Sequence, residues 1–285
     1  DQLLQNLPRA EMQQGYVVVA VCSAHFFSGR MSGCVNGRFF RFSSTPLIRP
    51  FWYYCILFSP LEYIQMLFFV DTANLDHIRE ATELGILDGV TTNPSLMAKE
   101  GISGTEAVLN HYRKICEIVG PGRDVSAEVI ATDFGGMVQE GKKLAQLHEN
   151  IVVKVPMTKD GIKAIAHFTE LGIKTNCTLV FSAGQAILAA KAGATYLSPF
   201  IGRIDDMSWD GIELIKEIVE IYTLQDFDTS ILAASIRSPL HIVQCAKAGA
   251  DVVTCPLSAI TGLFYHPLTD IGLAKFLADH KKANS

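Results

Sequence analysis

The chain has 285 residues, a formal net charge of −5 and an apolar content of 49%. This length allows one large domain or two small ones, and this composition is typical of a compact globular protein with a large core. The negative charge gives no electrostatic reason to expect a nucleic acid or an anionic membrane as a partner, although a local group of donors can still bind phosphate.

Residues 1–65 differ from the rest of the chain. Their two apolar patches, 16–27 and 51–59, are each shorter than the roughly 20 residues that span a bilayer. Their start lacks the basic residues and the small-residue cleavage site of a secretory signal. Because no helical or alternating period persists, we predict an irregular or disordered N-terminal extension over 1–65, which an over-long start assignment would also explain. A leader that associates with a membrane is the alternative.

From Met66 onward, short apolar runs alternate with amphipathic stretches. Runs rich in Val and Ile that are separated by helical patterns are typical of a parallel sheet covered on both sides. The predicted strands are 67–70, 89–91, 125–130, 151–155, 174–180, 196–198, 230–233 and 251–254. The predicted helices are 75–84, 105–119, 134–147, 161–171, 183–192, 211–221 and 240–248.

Turn residues and an internal repeat support this alternation. Gly85, Gly172, Gly193 and Gly249 each end a helical pattern before a strand, where a helix C-cap needs positive φ. Residues 191–199 resemble 247–256, as repeated βα units would. We predict an α/β fold, a single (β/α)8 TIM barrel over 66–285 with a C-terminal helix. An open doubly wound sheet is the alternative, but no GxGxxG motif follows the first strand.

Functional residues of such a barrel lie at the C-terminal ends of its strands. In this chain those ends are polar, and a purely structural barrel has no need of such a ring. In chain order the residues are Asp71, Thr91, Thr92, Asn93, Glu128, Lys154, Thr178, Ser198 with Arg203, and Ser235 with Arg237.

Lys154 is the strongest candidate for a catalytic residue. It lies within Ile-Val-Val-Lys-Val-Pro, and lysine is almost never fully buried without a reason. Burial disfavours the charged ammonium, so a neutral amine becomes available near neutral pH. Such an amine can attack a ketone and form an iminium that accepts electrons during C–C cleavage. An edge lysine that reaches solvent is the alternative.

Two carboxylates and a threonine accompany this lysine. Asp71 is either a general base for a substrate hydroxyl or the N-cap of the first helix. Glu128 lies in an apolar run where an unpaired carboxylate is unfavourable, so we interpret it as a proton shuttle acting through water. Thr178 can hold the same water.

The late strand ends suggest phosphate binding. Arg203 and Arg237 offer planar guanidinium groups, and Ser198 and Ser235 offer hydroxyls, all after consecutive strands. The eight histidines have no metal-site spacing, so we expect neither a metal nor a cofactor. The seven cysteines form no CxxC pair, and we interpret them as reduced, mostly buried thiols in a cytoplasmic setting.

Four motifs together resemble the transaldolase family. They are Asp71-Thr-Ala, Gly89-Val-Thr-Thr-Asn-Pro-Ser, Val152-Val-Lys-Val-Pro and Ser198-Pro-Phe-Ile-Gly-Arg-Ile-Asp. The resemblance covers residues 66 to about 280 and is greatest to the short subfamily, which also contains the fructose-6-phosphate aldolases. Residues 1–65 have no counterpart.

The resemblance implies a role for each matching residue. Lys154 matches the Schiff-base lysine and Asp71 the acid/base at the substrate C4 hydroxyl. Asn93 matches the asparagine that holds the ketol hydroxyls, with Thr92 beside it. Glu128 and Thr178 match the pair that positions the catalytic water. The phosphate-binding positions are matched by Arg203, Ser235 and Arg237, with Ser198 nearby.

Two positions imply which activity the chain has. The aldolases have Gln where Glu128 stands and Tyr where Phe200 stands, so both positions here are of the transaldolase type. The implied enzyme is a transaldolase of the pentose phosphate pathway. It moves dihydroxyacetone from sedoheptulose 7-phosphate to glyceraldehyde 3-phosphate, giving erythrose 4-phosphate and fructose 6-phosphate. An aldolase that releases free dihydroxyacetone and a non-catalytic sugar-phosphate-binding barrel are the alternatives.

The resemblance also implies an assembly. Short members of the family are commonly homo-oligomers, pentamers or decamers, and a late helix such as 271–280 is of the type that packs between subunits. The expected partners are therefore sugar-phosphate substrates and further copies of the chain.

Overall fold

The computed structural model describes residues 30–35, 38–43 and 65–284. The first two segments are strands β1 (Arg30–Val35) and β2 (Arg38–Ser43), which pair antiparallel with Gly33 opposite Phe40. Both strands lie within the segment 1–65, for which irregular structure was predicted. The sequence between them is Asn36-Gly37, a dipeptide that strongly favours a two-residue hairpin turn. The apolar patches 16–27 and 51–59, and with them the membrane-leader alternative, lie outside the described residues.

The chain from Ile64 onward forms a separate compact unit. Its eight parallel strands pair in chain order, and the last pairs with the first to close a barrel. The predicted (β/α)8 barrel is confirmed, and closure rules out the open-sheet alternative. The strands are β3 (Leu67–Asp71), β4 (Gly89–Thr91), β5 (Asp124–Glu128), β6 (Ile151–Pro156), β7 (Thr175–Val180), β8 (Tyr196–Pro199), β9 (Ser230–Ala233) and β10 (Val252–Cys255).

Strand β5 ends two residues earlier than the apolar run predicts. Beyond Glu128, the Glu140 carboxylate accepts hydrogen bonds from the backbone N–H groups of Ile130 (2.7 Å) and Ala131 (3.0 Å). These N–H groups are therefore satisfied by a side chain instead of a neighbouring strand, and Ile130 is exposed.

Helices follow the strands and cover the outside of the barrel. Each of the seven predicted helices is present. Three further helices, α2, α7 and α10, were not predicted because they are too short to show a helical period in the sequence. In chain order they are α1 (Leu75–Glu83), α2 (Pro94–Lys99), α3 (Thr105–Val119), α4 (Phe134–Ala145), α5 (Lys159–Glu170), α6 (Ala183–Lys191), α7 (Ile201–Asp205), α8 (Gly211–Gln225), α9 (Pro239–Ala248), α10 (Leu257–Thr261) and α11 (Pro267–Ala283).

The core has an outer layer between strands and helices and an inner cluster within the barrel. The inner cluster contains Phe69, Val152, Tyr196 and Leu232, and the Phe69 and Tyr196 rings meet edge to face at 5.9 Å. Gly89 makes room for it, since a Cβ there would lie 2.5 Å from the Phe69 ring. Side chains alternate along a strand, so Asp71 and Lys154 point to the same side as Phe69 and Val152. The inner cluster therefore forms the floor beneath the polar strand ends.

Several smaller predictions are tested as well. The four glycines named above all have positive φ, from +69° to +89°, as C-caps require. Cys116, Cys177, Cys245 and Cys255 are buried free thiols, as predicted. Among the helices of the described residues, none is both long enough and apolar enough to cross a membrane.

Candidate active site

Lys154 lies inside the barrel, at the C-terminal end of β6. Its residue is 4% exposed, so the alternative of an edge lysine is wrong. The Nζ atom donates to the carbonyl oxygen of Thr92 at 3.0 Å and lies 3.2 Å from Glu128 Oε2. The pairing of β5 with β6 sets Glu128 directly beside Lys154, which explains why these two side chains meet. A buried amine with an adjacent carboxylate can act as a nucleophile whose proton has a nearby acceptor.

Asp71 ends β3 and faces the same interior. Its Oδ1 accepts a hydrogen bond of 2.7 Å from Thr91 Oγ1, which also lies 2.6 Å from Thr254 Oγ1. Asn74 caps α1 instead, accepting from the next turn's N–H groups, so the N-cap interpretation of Asp71 was wrong. Burial, and secondarily the charge of Asp71, raises the pKa of the Cys255 thiol to about 12. Asp71 thus lies at the end of its strand with one carboxylate oxygen held by Thr91.

A buried polar row crosses the barrel one layer below the strand ends. Ser198 Oγ donates to Asn176 Oδ1 at 2.8 Å, and Asn176 Nδ2 donates to Ser126 Oγ at 3.1 Å. Ser198 therefore contacts this row, where we had grouped it with the phosphate-binding residues. Sequence reasoning missed Asn176 and Ser126, although each precedes a predicted site residue by two positions, the period of one strand face.

Thr178 has an unpaired hydroxyl and precedes a residue with an unusual backbone conformation. It is buried, and among the described residues its Oγ1 has no hydrogen-bond partner. The pairing of β7 with β8 shifts register between Cys177 and Val180, and Leu179 has φ of +61°. Left-handed backbone at a residue other than glycine is strained and clusters at functional sites. A buried hydroxyl without a protein partner suits a bound water or ligand atom.

Asn93 and Phe200 lie at the rim. Asn93 Oδ1 caps α2 by accepting from Leu96 N at 3.0 Å. The Phe200 ring packs on the inner cluster and meets Phe181 edge to face at 5.8 Å. The Arg203 guanidinium carbon lies 4.9 Å from the centre of the Phe200 ring, which stacks this arginine over an aromatic surface.

The segments after β8 and β9 are packed together. Gly202 N donates to the Ser235 carbonyl at 3.1 Å, and a Cβ at Gly202 would overlap that oxygen and lie 2.7 Å from Arg237 Nε. Glycine at position 202 thus lets the Arg203 and Arg237 segments meet. Ser235 has φ of +60°, and Arg237 pairs with Asp206 at 2.6 Å, both exposed. The structure therefore packs Gly202, the residue before Arg203, against Ser235 and Arg237, while the Arg203 side chain lies over Phe200.

No group of three or more His, Cys, Asp or Glu side chains is placed to hold a metal ion within the part of the chain that the structure describes. The groups in contact with Lys154 Nζ are the Thr92 carbonyl and the Glu128 carboxylate.

Comparison with known proteins identifies the family. The model of the family described as Transaldolase/Fructose-6-phosphate aldolase matches residues 68–285. The chain belongs to the transaldolase/fructose-6-phosphate aldolase family. It is 71% identical over 219 residues to a protein of Parabacteroides distasonis named probable transaldolase, covering 77% of this chain and 100% of that protein. A protein of Cytophaga hutchinsonii with the same name is 69% identical over the same coverage.

Solved structures support the barrel alone. A cube-shaped, highly porous protein cage, designed by fusing symmetric oligomeric domains, matches with a TM-score of 0.50 at 14% identity. The match covers 77% of this chain and 78% of that one. At this identity the likeness shows a shared fold.

The resemblance to the transaldolase family inferred from four motifs is thus confirmed. The family contains two activities, transfer to an acceptor and release of free ketol. Membership therefore leaves the activity to be argued from the residues of this site.

Proposed function

We propose that this protein is a transaldolase that transfers dihydroxyacetone from sedoheptulose 7-phosphate to glyceraldehyde 3-phosphate through a Schiff base on Lys154. The observation that carries the proposal is the burial of Lys154 beside Glu128, at 3.2 Å, among the polar strand ends of a barrel. The two relatives reported above, 71% and 69% identical, are both named probable transaldolase, which supports the same activity.

In the first half-reaction, the Glu128 carboxylate takes a proton from the Lys154 ammonium, and the freed amine attacks the ketone carbon of the donor to give a carbinolamine. Glu128 then supplies the proton with which hydroxide leaves as water, and Thr178 holds that water with its otherwise unpaired hydroxyl. The product is an iminium that withdraws electrons from the neighbouring carbon. The carboxylate at 3.2 Å stabilises this cation in a site of low polarity.

Cleavage follows at the bond between C3 and C4. Asp71 takes the proton of the C4 hydroxyl, and the C4 oxygen forms the carbonyl of the departing aldehyde while the bonding electrons move into the enamine. Thr91 orients the Asp71 carboxylate through its 2.7 Å hydrogen bond. Addition of the acceptor aldehyde reverses these steps, and hydrolysis returns the water lost at the start.

Phosphate binding is assigned to the segments that follow β8 and β9. Arg203, Ser235 and Arg237 offer two guanidinium groups and a hydroxyl at one place on the rim. Arg237 would exchange its exposed Asp206 partner for the phosphate. In this proposal Asn93 holds the ketol hydroxyls, Thr92 lies beside it and holds the Lys154 amine through its carbonyl oxygen, and Ser198 contributes through its contact with Asn176.

Phe200 favours transfer over release. Its ring contacts Phe181 and Arg203 and offers no hydroxyl where a tyrosine would protonate the enamine. The enamine therefore stays unprotonated until an acceptor aldehyde binds. Glu128 is also of the transaldolase type. No observation therefore favours the alternative of an aldolase that releases free dihydroxyacetone.

The exposed face of α11 supports a homo-oligomer. In the described chain no residue of α11 is buried, and Leu268, Ile271, Phe276 and Leu277 are each more than half exposed. Apolar side chains at this density mark a surface that another chain covers. A pentamer or decamer is the assembly we propose.

The setting follows from the substrates. A transaldolase of the pentose phosphate pathway acts in the cytoplasm on sugar phosphates, without nucleic acid, membrane or cofactor. We propose that residues 66–285 form this catalytic domain and that residues 1–65 are an extension to it. The family match from Phe68 onward supports that boundary.

The test is a transfer assay with sedoheptulose 7-phosphate, with and without glyceraldehyde 3-phosphate. We expect product only when the acceptor is present, and no activity in the Lys154→Met variant. The control variant, Lys174→Met, should keep full activity. Lys174 directly precedes β7, at the opposite end of the barrel, and pairs there with Asp124. Free dihydroxyacetone without acceptor would favour the aldolase. An active Lys154→Met variant would refute the Schiff base on Lys154. An inactive wild-type protein would favour the alternative of a non-catalytic barrel that binds sugar phosphates.

A further inference from the structure

Tyr112 on α3 contacts both neighbours of Lys154, yet the reaction above does not use it. Its side chain is buried, and its hydroxyl accepts from Glu128 N at 3.3 Å and is hydrogen-bonded to Thr92 Oγ1 at 3.0 Å. Glu128 and Thr92 are the two residues that touch Lys154 Nζ. The Tyr112 hydroxyl is therefore hydrogen-bonded to both residues that contact the Lys154 amine.

The ladder between β4 and β5 shows what this contact does. Thr91 pairs with Ser126, and Thr92 N donates to the Ser126 carbonyl at 3.3 Å. A regular parallel ladder continued by one residue would direct Glu128 N to the Thr92 carbonyl. Here Glu128 N donates to the Tyr112 hydroxyl, and the Thr92 carbonyl accepts from Lys154 Nζ. The phenol thus takes the place of a strand carbonyl.

We propose that Tyr112 is a positioning residue: its hydroxyl takes the backbone N–H of Glu128 and so leaves the Thr92 carbonyl to hold the Lys154 amine. The role rests on the proposed Schiff-base function. Burial raises the pKa of Tyr112, so the phenol stays protonated while its oxygen accepts from Glu128 N and Thr92 Oγ1. Without the hydroxyl, Glu128 N would compete with Lys154 Nζ for the Thr92 carbonyl, and both the amine and the carboxylate would shift.

The test compares Tyr112→Phe with a matched control, Tyr222→Phe. Tyr222 is also buried, and its hydroxyl donates to the Ala186 carbonyl at 2.8 Å, away from the site. We expect Tyr112→Phe to lower kcat about 10- to 100-fold, since small misplacements of reacting groups have effects of this size. KM should change less than about threefold, because substrate binding is not removed. The borohydride-trapped adduct with fructose 6-phosphate should form correspondingly more slowly.

The outcomes separate the two proposals. If wild type forms no trapped adduct, the Schiff-base function fails, and the role of Tyr112 fails with it. If wild type forms the adduct but Tyr112→Phe matches Tyr222→Phe in kcat and trapping rate, only the positioning role is overturned. Should Tyr112→Phe not fold, Thr92→Val removes the other hydroxyl partner of Tyr112. It should lower kcat in the same direction by less than about tenfold, and an unchanged kcat would overturn the role.

Discussion

The buried pair of Lys154 and Glu128 makes a sharp prediction about stability. The Lys154 side chain is 6% exposed and that of Glu128 15%, so removal of one charge leaves the other in a poorly hydrated place. The perturbation is a double-mutant cycle of Lys154→Met and Glu128→Gln. Glutamine keeps the shape of Glu128, and methionine keeps most of the lysine's length.

The magnitude follows from the distance and the burial. At 3.2 Å the gross attraction is about 5 kcal/mol for an effective dielectric constant of about 20. Desolvation of both ions offsets most of it, but removal of one partner from a buried pair destabilises by about 3–5 kcal/mol. Because Glu128 retains some exposure, we expect about 3 kcal/mol for each single variant. The double variant should be no less stable than either single variant, which corresponds to a coupling of at least about 3 kcal/mol.

The assay is urea unfolding at one fixed protein concentration, with the free energy of unfolding extrapolated to water. The matched control is Lys216→Met with Glu213→Gln, a pair of the same residue types at 2.6 Å whose side chains are both more than half exposed. Solvent screens that pair, so its coupling should be indistinguishable from zero. Additivity within about 0.5 kcal/mol for Lys154 and Glu128 would refute the buried pair.

Phe200→Tyr should raise release of dihydroxyacetone from fructose 6-phosphate without acceptor, because the new hydroxyl can protonate the enamine; Phe134→Tyr, at an exposed ring, should not. Burial raises the pKa of the Cys177 thiol from 9.0 to about 12. The unfolded thiol therefore ionises first, and its contribution to stability is complete below about pH 9 and declines above it. In urea unfolding at about pH 8–10, Cys177→Ala should lessen this decline by up to about 1.4 kcal/mol per pH unit.

Each of these predictions has a contradicting result. Equal release by wild type and Phe200→Tyr would mean that the ring does not decide between transfer and release. Identical slopes for wild type and Cys177→Ala above pH 9 would mean that this thiol ionises as readily in the folded protein as in the unfolded chain.

The barrel was predictable because its strands are apolar on both faces and end in polar residues. Short helices such as α2 have no period, yet Asn93 followed by Pro94 is a helix-start signal that reasoning from periods overlooked. The Asn36-Gly37 dipeptide in the sequence between β1 and β2 is a local signal of the same kind. These misses were local signals given too little weight.

Of the candidate site, the sequence indicates the residues at the strand ends. Lys154, Asp71 and Glu128 follow apolar runs and can be read from the chain. The hydroxyl of Tyr112 cannot, because Tyr112 occupies a core position of an amphipathic helix and its partners are 16 and 20 residues away. The pairing of Asn176 with Ser198 likewise depends on which strands are neighbours. Such contacts depend on the closed barrel and become visible only in three dimensions.

Borohydride trapping with peptide mapping tests the central claim most directly. The protein is incubated with fructose 6-phosphate and reduced, and the modified peptide is located by mass spectrometry. We predict one reduced sugar unit on Lys154, loss of activity in proportion to modification, and no adduct in Lys154→Met. An unmodified Lys154 in active protein, or an adduct on another lysine that accounts for the lost activity, would contradict the account.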